Sequence, residues 1–283
     1  MRLSQSQLEN YNRKLAIANA VHRVPPEFQP KQLHHYPTDN HHEFERWFKD
    51  NTTPVEIAGK DRTYLPILWT GYWCNNGYGV KDKVRNRLQL YVDSLPRNKK
   101  YFTICQYDDG CMINFKDLDI KIFGMSGGRI DYPIPLLCLP HKFEFPEVKK
   151  DIFCSFVGAE THPIRKEMIK QLAGKEGYYI TTKKMPLADY CKILARSVFA
   201  LAPRGYGRSS FRVAEAIHYG AVPIYVSDEF IWPYNEEFPG ISCQVTDLPC
   251  CIPHDFTLLQ QQVSEQKVFY TYEGCKQKIL ENI

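Results

Sequence analysis

Three arginines, Arg204, Arg208 and Arg212, surround the pair Ser209 and Ser210, and Glu215 follows. Arg208, Arg212 and Glu215 are spaced i, i+4 and i+7, which puts them on one face if the segment is helical. A helix start offers unpaired N–H groups and about half a positive charge. Guanidinium groups beside it make an anion site, and phosphate is the usual anion. Glu215 stands about 10 Å further along by the helix rise. A carboxylate repels phosphate but accepts hydrogen bonds from a vicinal diol, and diphosphate beside ribose means a nucleotide. Tyr206 is placed to stack on the base or sugar, and Ser209 and Ser210 to donate to phosphate. The plainer reading is an exposed helix with an Arg–Glu surface pair worth less than about 1 kcal/mol. On that reading Tyr206 faces solvent and the serines only cap the helix.

Positioning these groups takes a strand, a loop, a helix and a second strand. Residues 198–201 are a short apolar, partly β-branched run that reads as a buried strand. Pro203, Gly205 and Gly207 break regular structure. Residues 211–219 have helical spacing, with Phe211, Ala214, Ile217 and His218 on or near one side, and Gly220 ends the helix. Residues 221–226 form a second apolar run. One such crossover implies a parallel sheet.

A strand ending in Pro203, then Gly205, the serines, Arg212 two residues on, Glu215-Ala216, Gly220, and a Val222-Pro223-Ile224 strand ending Ser227-Asp228 resembles the donor-binding signature of exostosin-type glycosyltransferases. The resemblance covers residues 152–228 clearly and the rest more loosely. It implies an α/β chain of the GT-B kind, with two Rossmann-like domains whose parallel sheets face a cleft and whose C-terminal domain holds a UDP-sugar. It implies transfer with inversion, without a metal or other cofactor, to a hydroxyl of an oligosaccharide or glycoprotein. It also matches Arg165 to a donor-side arginine; the plainer reading is a helix-surface Arg. Members of the family use UDP-xylose, -glucuronate, -N-acetylglucosamine, -galactose and -arabinose. The chain is similar to compact, anchorless forms like those of large algal viruses, and through them the resemblance points to xylose.

Ligands of open parallel sheets bind beyond the carboxyl ends of the strands. Gly158 follows the run 151–157, where backbone can approach a phosphate closely. In the first half, Asp108 and Asp109 end the run 101–105 and are the candidates for the base that takes the acceptor's proton, a role worth about 10²–10⁴ in rate. Adjacent carboxylates raise one another's pKa, although Asp108-Asp109-Gly110 is also favourable turn chemistry. Asp82 is the reserve, with helix-start electrostatics as its plainer explanation. Tyr72, Trp73 and Asn75 lie in a presumed loop and can form an acceptor platform for the C–H faces of sugars, or else are aromatics of core or surface. Asp117-Leu118-Asp119 precedes a strand and reads as a turn rather than a metal motif. A non-catalytic nucleotide-sugar or glycan-binding module is the competing reading. It differs in that Asp108 and Asp109 would not matter for turnover. There is no G-x-x-x-x-G-K-[ST] loop and no G-x-G-x-x-G fingerprint.

Composition sets the bounds. The 283 residues carry 36 basic and 32 acidic side chains, net +4, with 43% hydrophobic and 24% charged residues. That suits a soluble globular chain with a mildly basic cleft for an anionic donor, and the basic residues form no stripe of the kind nucleic acid requires. Ten cysteines, none in a C-x-x-C pair, read as reduced thiols of a reducing compartment rather than a zinc site. His34, His35, His41 and His42 crowd a polar loop without a completing ligand set. The first 15 residues have no apolar core and no stretch approaches about 18 apolar residues, so no leader, anchor or membrane partner is expected and the location is cytoplasmic. The expected division is 1–145 as the acceptor-side domain, 146–255 as the donor domain, and 256–283 as a helix packing back on the first. Expected strands lie at 65–70, 101–105, 120–123, 136–139, 151–157 and 178–182, and expected helices at 43–49, 80–95, 163–172 and 186–195. Residues 140–150 form the linker.

Overall fold

The computed structural model describes residues 5–31, 43–125, 127–137, 143–146, 148–235, 238–253 and 255–283. The histidine cluster of residues 34–42 lies outside them. The chain divides into two compact units, Met1–Gly124 with Gly128–Tyr132 and Lys276–Ile283, and Met125–Gly127 with Pro133–Cys275. Both are α/β, each built on a sheet of parallel strands. The division falls near residue 132 rather than at 145, and only 276–283 of the expected C-terminal segment groups with the first unit.

The first unit runs α1 (Gln5–Asn19), α2 (Phe44–Asn51), α3 (Pro54–Ile57), β1 (Thr63–Tyr64), α4 (Trp69–Asn75), α5 (Asp82–Asp93), β2 (Tyr101–Cys105), β3 (Ile120–Gly124) and β4 (Tyr132–Pro133). The strands lie in the order β1-β2-β3-β4, and β1, β2 and β3 are parallel. All five residues of β2 are buried, as a β-branched and aromatic run enclosed on both faces should be. Aromatics fill the core: Trp69, Trp73, Tyr101, Phe102 and Phe123 are wholly buried, and Tyr64 stacks on Phe102 at 4.9 Å. Each ring removes a large apolar area from water. Inside, Trp69 Nε1 donates to Thr103 Oγ1 (2.9 Å), which donates to Leu65 O (2.9 Å), so these two buried side chains are satisfied, whereas Trp73 Nε1 and Tyr101 Oη are buried without a partner.

The expected strand at 65–70 is not formed. Leu65 N–H still reaches Phe102 O (2.8 Å), but Leu68 N–H turns to Phe28 O (3.0 Å) and α4 begins at Trp69. A short apolar run suits a buried helix as well as a buried strand, and here packing chose. Of the expected strand at 136–139, residues 136–137 are described and lie outside any strand.

The second unit contains β5 (Ile152–Val157), α6 (Pro163–Leu172), β6 (Tyr178–Thr181), α7 (Leu187–Arg196), β7 (Ser197–Pro203), α8 (Phe211–His218), β8 (Val222–Val226), β9 (Ile241–Cys243) and α9 (Thr257–Gln266). It ends within α10 (Tyr272–Glu281), whose last turns group with the first unit. There Lys276 Nζ meets Glu56 Oε1 (2.6 Å) and Lys60 Nζ donates to Leu280 O (2.7 Å). The sheet order is β6-β5-β7-β8-β9, every pair parallel. Pro163 starts α6 under the His162 cap, and Gly220, at φ +69°, takes the left-handed conformation that closes α8. The order reverses between β5 and β7, which makes the carboxyl ends of those two strands the switch point where such sheets bind ligands.

Candidate functional site

The arginine-rich string sits at that switch point. Arg204 opens the loop after β7, its N–H bonded to Val226 O at 3.0 Å, and the loop ends at Ser210, whose Oγ accepts from Arg212 N–H (3.4 Å) as the cap of α8. Because α8 begins at Phe211, Arg208 stands in the loop before it, and only Arg212 and Glu215 share a helix face. This corrects the expected three-residue stripe. The helical period cannot be extended through Gly205 and Gly207, which end regular structure.

The four arginines each have a definite anchor. Arg212 Nε and Nη2 donate to Val157 O (3.1 and 2.8 Å), and its guanidinium lies over the Phe156 ring at 5.2 Å. That packing explains Gly158: a Cβ there would overlap Arg212 Nη2 and come within 2.8 Å of its Cζ. Arg165 is 7% exposed, and its three nitrogens donate to the carbonyls of Arg204 (2.8 Å), Ala159 (3.2 Å) and Pro203 (3.2 Å). It is therefore not a helix-surface arginine; it binds the loops after β5 and β7 together. Arg204 pairs with Asp228 and donates from Nη2 to Tyr206 O (3.2 Å), while its Nε is buried with no hydrogen-bond partner. Its charge holds the Asp228 carboxyl below the usual range. Arg208 Nε meets Glu229 Oε2 at 2.6 Å, and its carbonyl accepts from Tyr225 Oη (2.6 Å). Ser209 is 4% exposed and its Oγ is buried without a partner. Tyr206 is 76% exposed. Glu215, half-buried, accepts a hydrogen bond from Tyr190 Oη of α7.

The structure thus gathers Gly158, Arg165, Arg204, Arg208, Ser209, Ser210, Arg212 and Glu215 around one helix start and the strand ends flanking it. Tyr190, Phe156, Asp228 and Glu229 join them. Tyr190 gave no signal in the sequence, since it is one aromatic on an amphipathic helix. A buried, unpartnered hydroxyl beside arginines and free helix N–H groups is an arrangement that holds an anion. A separate cavity of about 590 Å³, lined by Phe145, Lys150, Ala195, His218 and Tyr219 among others, lies by the amino ends of β5, β7 and β8 and plays no part in this site.

The first-unit candidates separate into two groups. Tyr72 is 2% exposed and donates from Oη to Val84 O (2.9 Å); Trp73 is 0% exposed and packs edge-on to Tyr72 at 4.9 Å. Both belong to the core, in a helix rather than a loop, so they are no acceptor platform. Asn75 is half-buried at the end of α4. Asp108, half-buried, and Asp109, exposed, follow β2 in the turn closed by Gly110 N–H to Tyr107 O (2.9 Å). Asp82, the reserve, pairs with Arg85 (2.6 Å) at the start of α5. Near them two carboxyl groups not singled out in the sequence are buried: Glu45, 0% exposed, and Glu43, 6% exposed. Burial pushes Glu43 up to about 7 against the pull of Arg46, and burial together with Glu43's charge pushes Glu45 up to about 8. Among the described residues no three His, Cys, Asp or Glu side chains group as a metal site, the nine cysteines are free thiols, and no helix is long and apolar enough to cross a membrane.

Residues 124–241 match the profile of the family described as the exostosin GT47 domain. A probable glycosyltransferase of Arabidopsis thaliana is 24% identical over 134 residues, covering 46% of this chain and 27% of that protein. A probable glucuronosyltransferase of Oryza sativa subsp. japonica is 26% identical over 151 residues, covering 45% and 35%. The chain thus spans about a third or less of the length of these relatives. Among solved structures, the GtfA/B complex aligns at 11% identity over 71% of this chain and 48% of that one, with a TM-score of 0.41.

Proposed function

We propose that this chain, whose residues 124–241 are an exostosin GT47 domain, is an inverting glycosyltransferase of GT-B type that moves a sugar from a UDP donor to a glycan hydroxyl. The observation that supports it best is the anion site at the β5/β7 switch point, with a buried hydroxyl and three arginines at the start of α8. On this reading the diphosphate lies against the N–H groups of α8, Ser209 Oγ and the cations of Arg204, Arg208 and Arg212. Glu215, oriented by Tyr190, accepts from the ribose hydroxyls, and exposed Tyr206 covers the base or sugar. Arg165 and Gly158 act indirectly, one by tying the loops and the other by leaving room for Arg212.

In the reaction the acceptor O–H gives its proton to a carboxylate, for which Asp108 and Asp109 remain the candidates. The oxygen forms a bond to the anomeric carbon on the face opposite the leaving group. The bond from that carbon to the diphosphate oxygen breaks, and UDP leaves with the electron pair. Cations and a helix start offset the charge that develops, each charge-assisted hydrogen bond contributing roughly 1.5–3 kcal/mol, so the transfer is proposed to proceed without a metal.

Isothermal titration with UDP and a panel of UDP-sugars, with and without EDTA, tests the site. We expect metal-free UDP binding, at least tenfold weaker in Glu215→Ala. No binding of any uridine nucleotide would sink the donor site. A panel including UDP-xylose, the donor the resemblance points to, and UDP-glucuronate, to which the rice relative's name refers, identifies the sugar. Binding without any transfer would identify a nucleotide-sugar-binding module instead.

A further inference from the structure

In the first unit the strand-end loops are tied by a buried carboxylate. Glu45, on α2, is fully enclosed. Its Oε1 accepts from Gln106 N–H (2.7 Å) and Thr70 Oγ1 (2.8 Å), and its Oε2 accepts from Thr70 N–H (3.0 Å). Thr70 lies in the first turn of α4, and Gln106 is the first residue after β2. Three donors converge on one side chain, and a carboxylate is the side chain that meets several donors while donating nothing itself. Enclosing it costs several kcal/mol, which a hydrophobic residue of the same size would avoid. What the carboxylate secures is the backbone at Gln106, two residues before Asp108. Beyond it Tyr107 is buried, its ring 6.5 Å from that of Trp73, and Gly110 N–H closes the turn on Tyr107 O.

We propose that Glu45 is a positioning residue: by holding the N–H of Gln106 and both donors of Thr70, it fixes the backbone from which Asp108 and Asp109 project. The inference rests on the transferase reading above, in which those two residues face the acceptor hydroxyl. Glu45 touches no substrate; it acts through the peptide at Gln106. Glu43 and Arg46 stand beside it, joined at 3.3 Å.

The test uses the full chain and the variant Glu45→Gln, whose amide NH₂ meets an N–H or O–H donor where a carboxyl oxygen had accepted. Three quantities are read: amide hydrogen exchange of the peptide spanning residues 106–110, the Kd for UDP, and kcat with the donor sugar that the wild type uses. The expected result is exchange at least tenfold faster, kcat at least tenfold lower, and a UDP Kd within twofold of wild type, because the donor groups belong to the other unit. Should Glu45→Gln fail to fold, Thr70→Val removes one of the three donors and should move exchange and kcat the same way by a smaller factor, with Thr70→Ser restoring both. Unchanged exchange overturns the tie, and faster exchange with undiminished kcat overturns the positioning role alone. A wild-type chain that transfers no sugar sinks the transferase reading itself, and the positioning role with it.

Discussion

The two units bury side chains of opposite hydrogen-bonding kind beneath their strand ends, a guanidinium in one and a carboxyl in the other. In the second unit, Arg165 lies under the strand ends and takes the carbonyls of Ala159, Pro203 and Arg204. In the first, Glu45 lies under the strand ends and takes the N–H groups of Thr70 and Gln106. A buried guanidinium satisfies backbone acceptors, and the oxygens of a buried carboxyl satisfy backbone donors. The kind of tie therefore bears on which backbone groups are left free. With its carbonyls held inward, the second unit presents N–H groups and arginines, which suit a diphosphate. With its N–H groups held inward, the first carries Asp108 and Asp109 in the turn beyond, and on the proposed reading these take the acceptor's proton.

The largest effect should come from breaking the cationic tie. Arg165→Ala leaves three carbonyls without donors in a buried place and should cost about 3 kcal/mol or more in denaturant unfolding, with UDP binding lost as the loops separate. An unfolding free energy within about 1 kcal/mol of wild type would show that the loops hold without it.

Next in size is the anion site itself. Arg212→Ala should weaken UDP binding at least tenfold. Gly158→Ala should do nearly as much while keeping every charge, because the added methyl displaces Arg212 from its seat on Val157 O. If Gly158→Ala binds UDP as the wild type does, the placement of Arg212 is not what matters.

The anionic tie predicts a pH dependence. Burial holds Glu45 at about 8 and Glu43 at about 7 in the folded chain, against 4.5 in an exposed chain. The folded state then binds more protons than the unfolded one across that window, so stability falls as pH rises from about 4.5 to about 8. The titratable groups around Glu45 are Glu43 at the start of α2, itself paired with Arg46, Tyr64 of β1, Cys74 of α4 and Cys105 of β2; burial first, and nearby negative charge after it, raises Tyr64, Cys74 and Cys105. Thermal unfolding followed between pH 5 and 8.5 should show a loss on the order of 5 kcal/mol, reduced in Glu45→Gln. A flat profile in the wild type would place Glu45 and Glu43 in the ordinary carboxylate range.

The smallest effect is expected at Tyr206. Its ring is 76% exposed, so Tyr206→Ala should change stability by less than about 0.5 kcal/mol while weakening UDP-sugar binding a few fold. Unchanged affinity would make it a solvent-facing tyrosine.

The second unit is written closely in its local sequence. Apolar runs bounded by Gly, Pro and Ser located β5, α6, β7, α8 and β8 to within a residue or two, because turn chemistry and helix caps are local and leave a local mark. The arginines, serines and Glu215 were legible for the same reason, and their common place at a switch point follows from strand order. The first unit was less legible. The run at 65–70 has no period that separates a strand from a helix, so Tyr72 and Trp73 read as a loop although they are core. Glu43 and Glu45 read as ordinary charged residues of a helix and Arg165 as a donor-side or helix-surface arginine, since nothing local distinguishes a buried ionisable group from an exposed one. It takes the folded chain to show that Arg165 donates to the carbonyls of two loops, that Tyr190 donates to Glu215, and that Glu45 accepts from the N–H of Gln106 ahead of Asp108. Each of these depends on donors and acceptors brought together from distant parts of the chain: Arg165 and Arg204 are 39 residues apart, and Glu45 and Gln106 are 61.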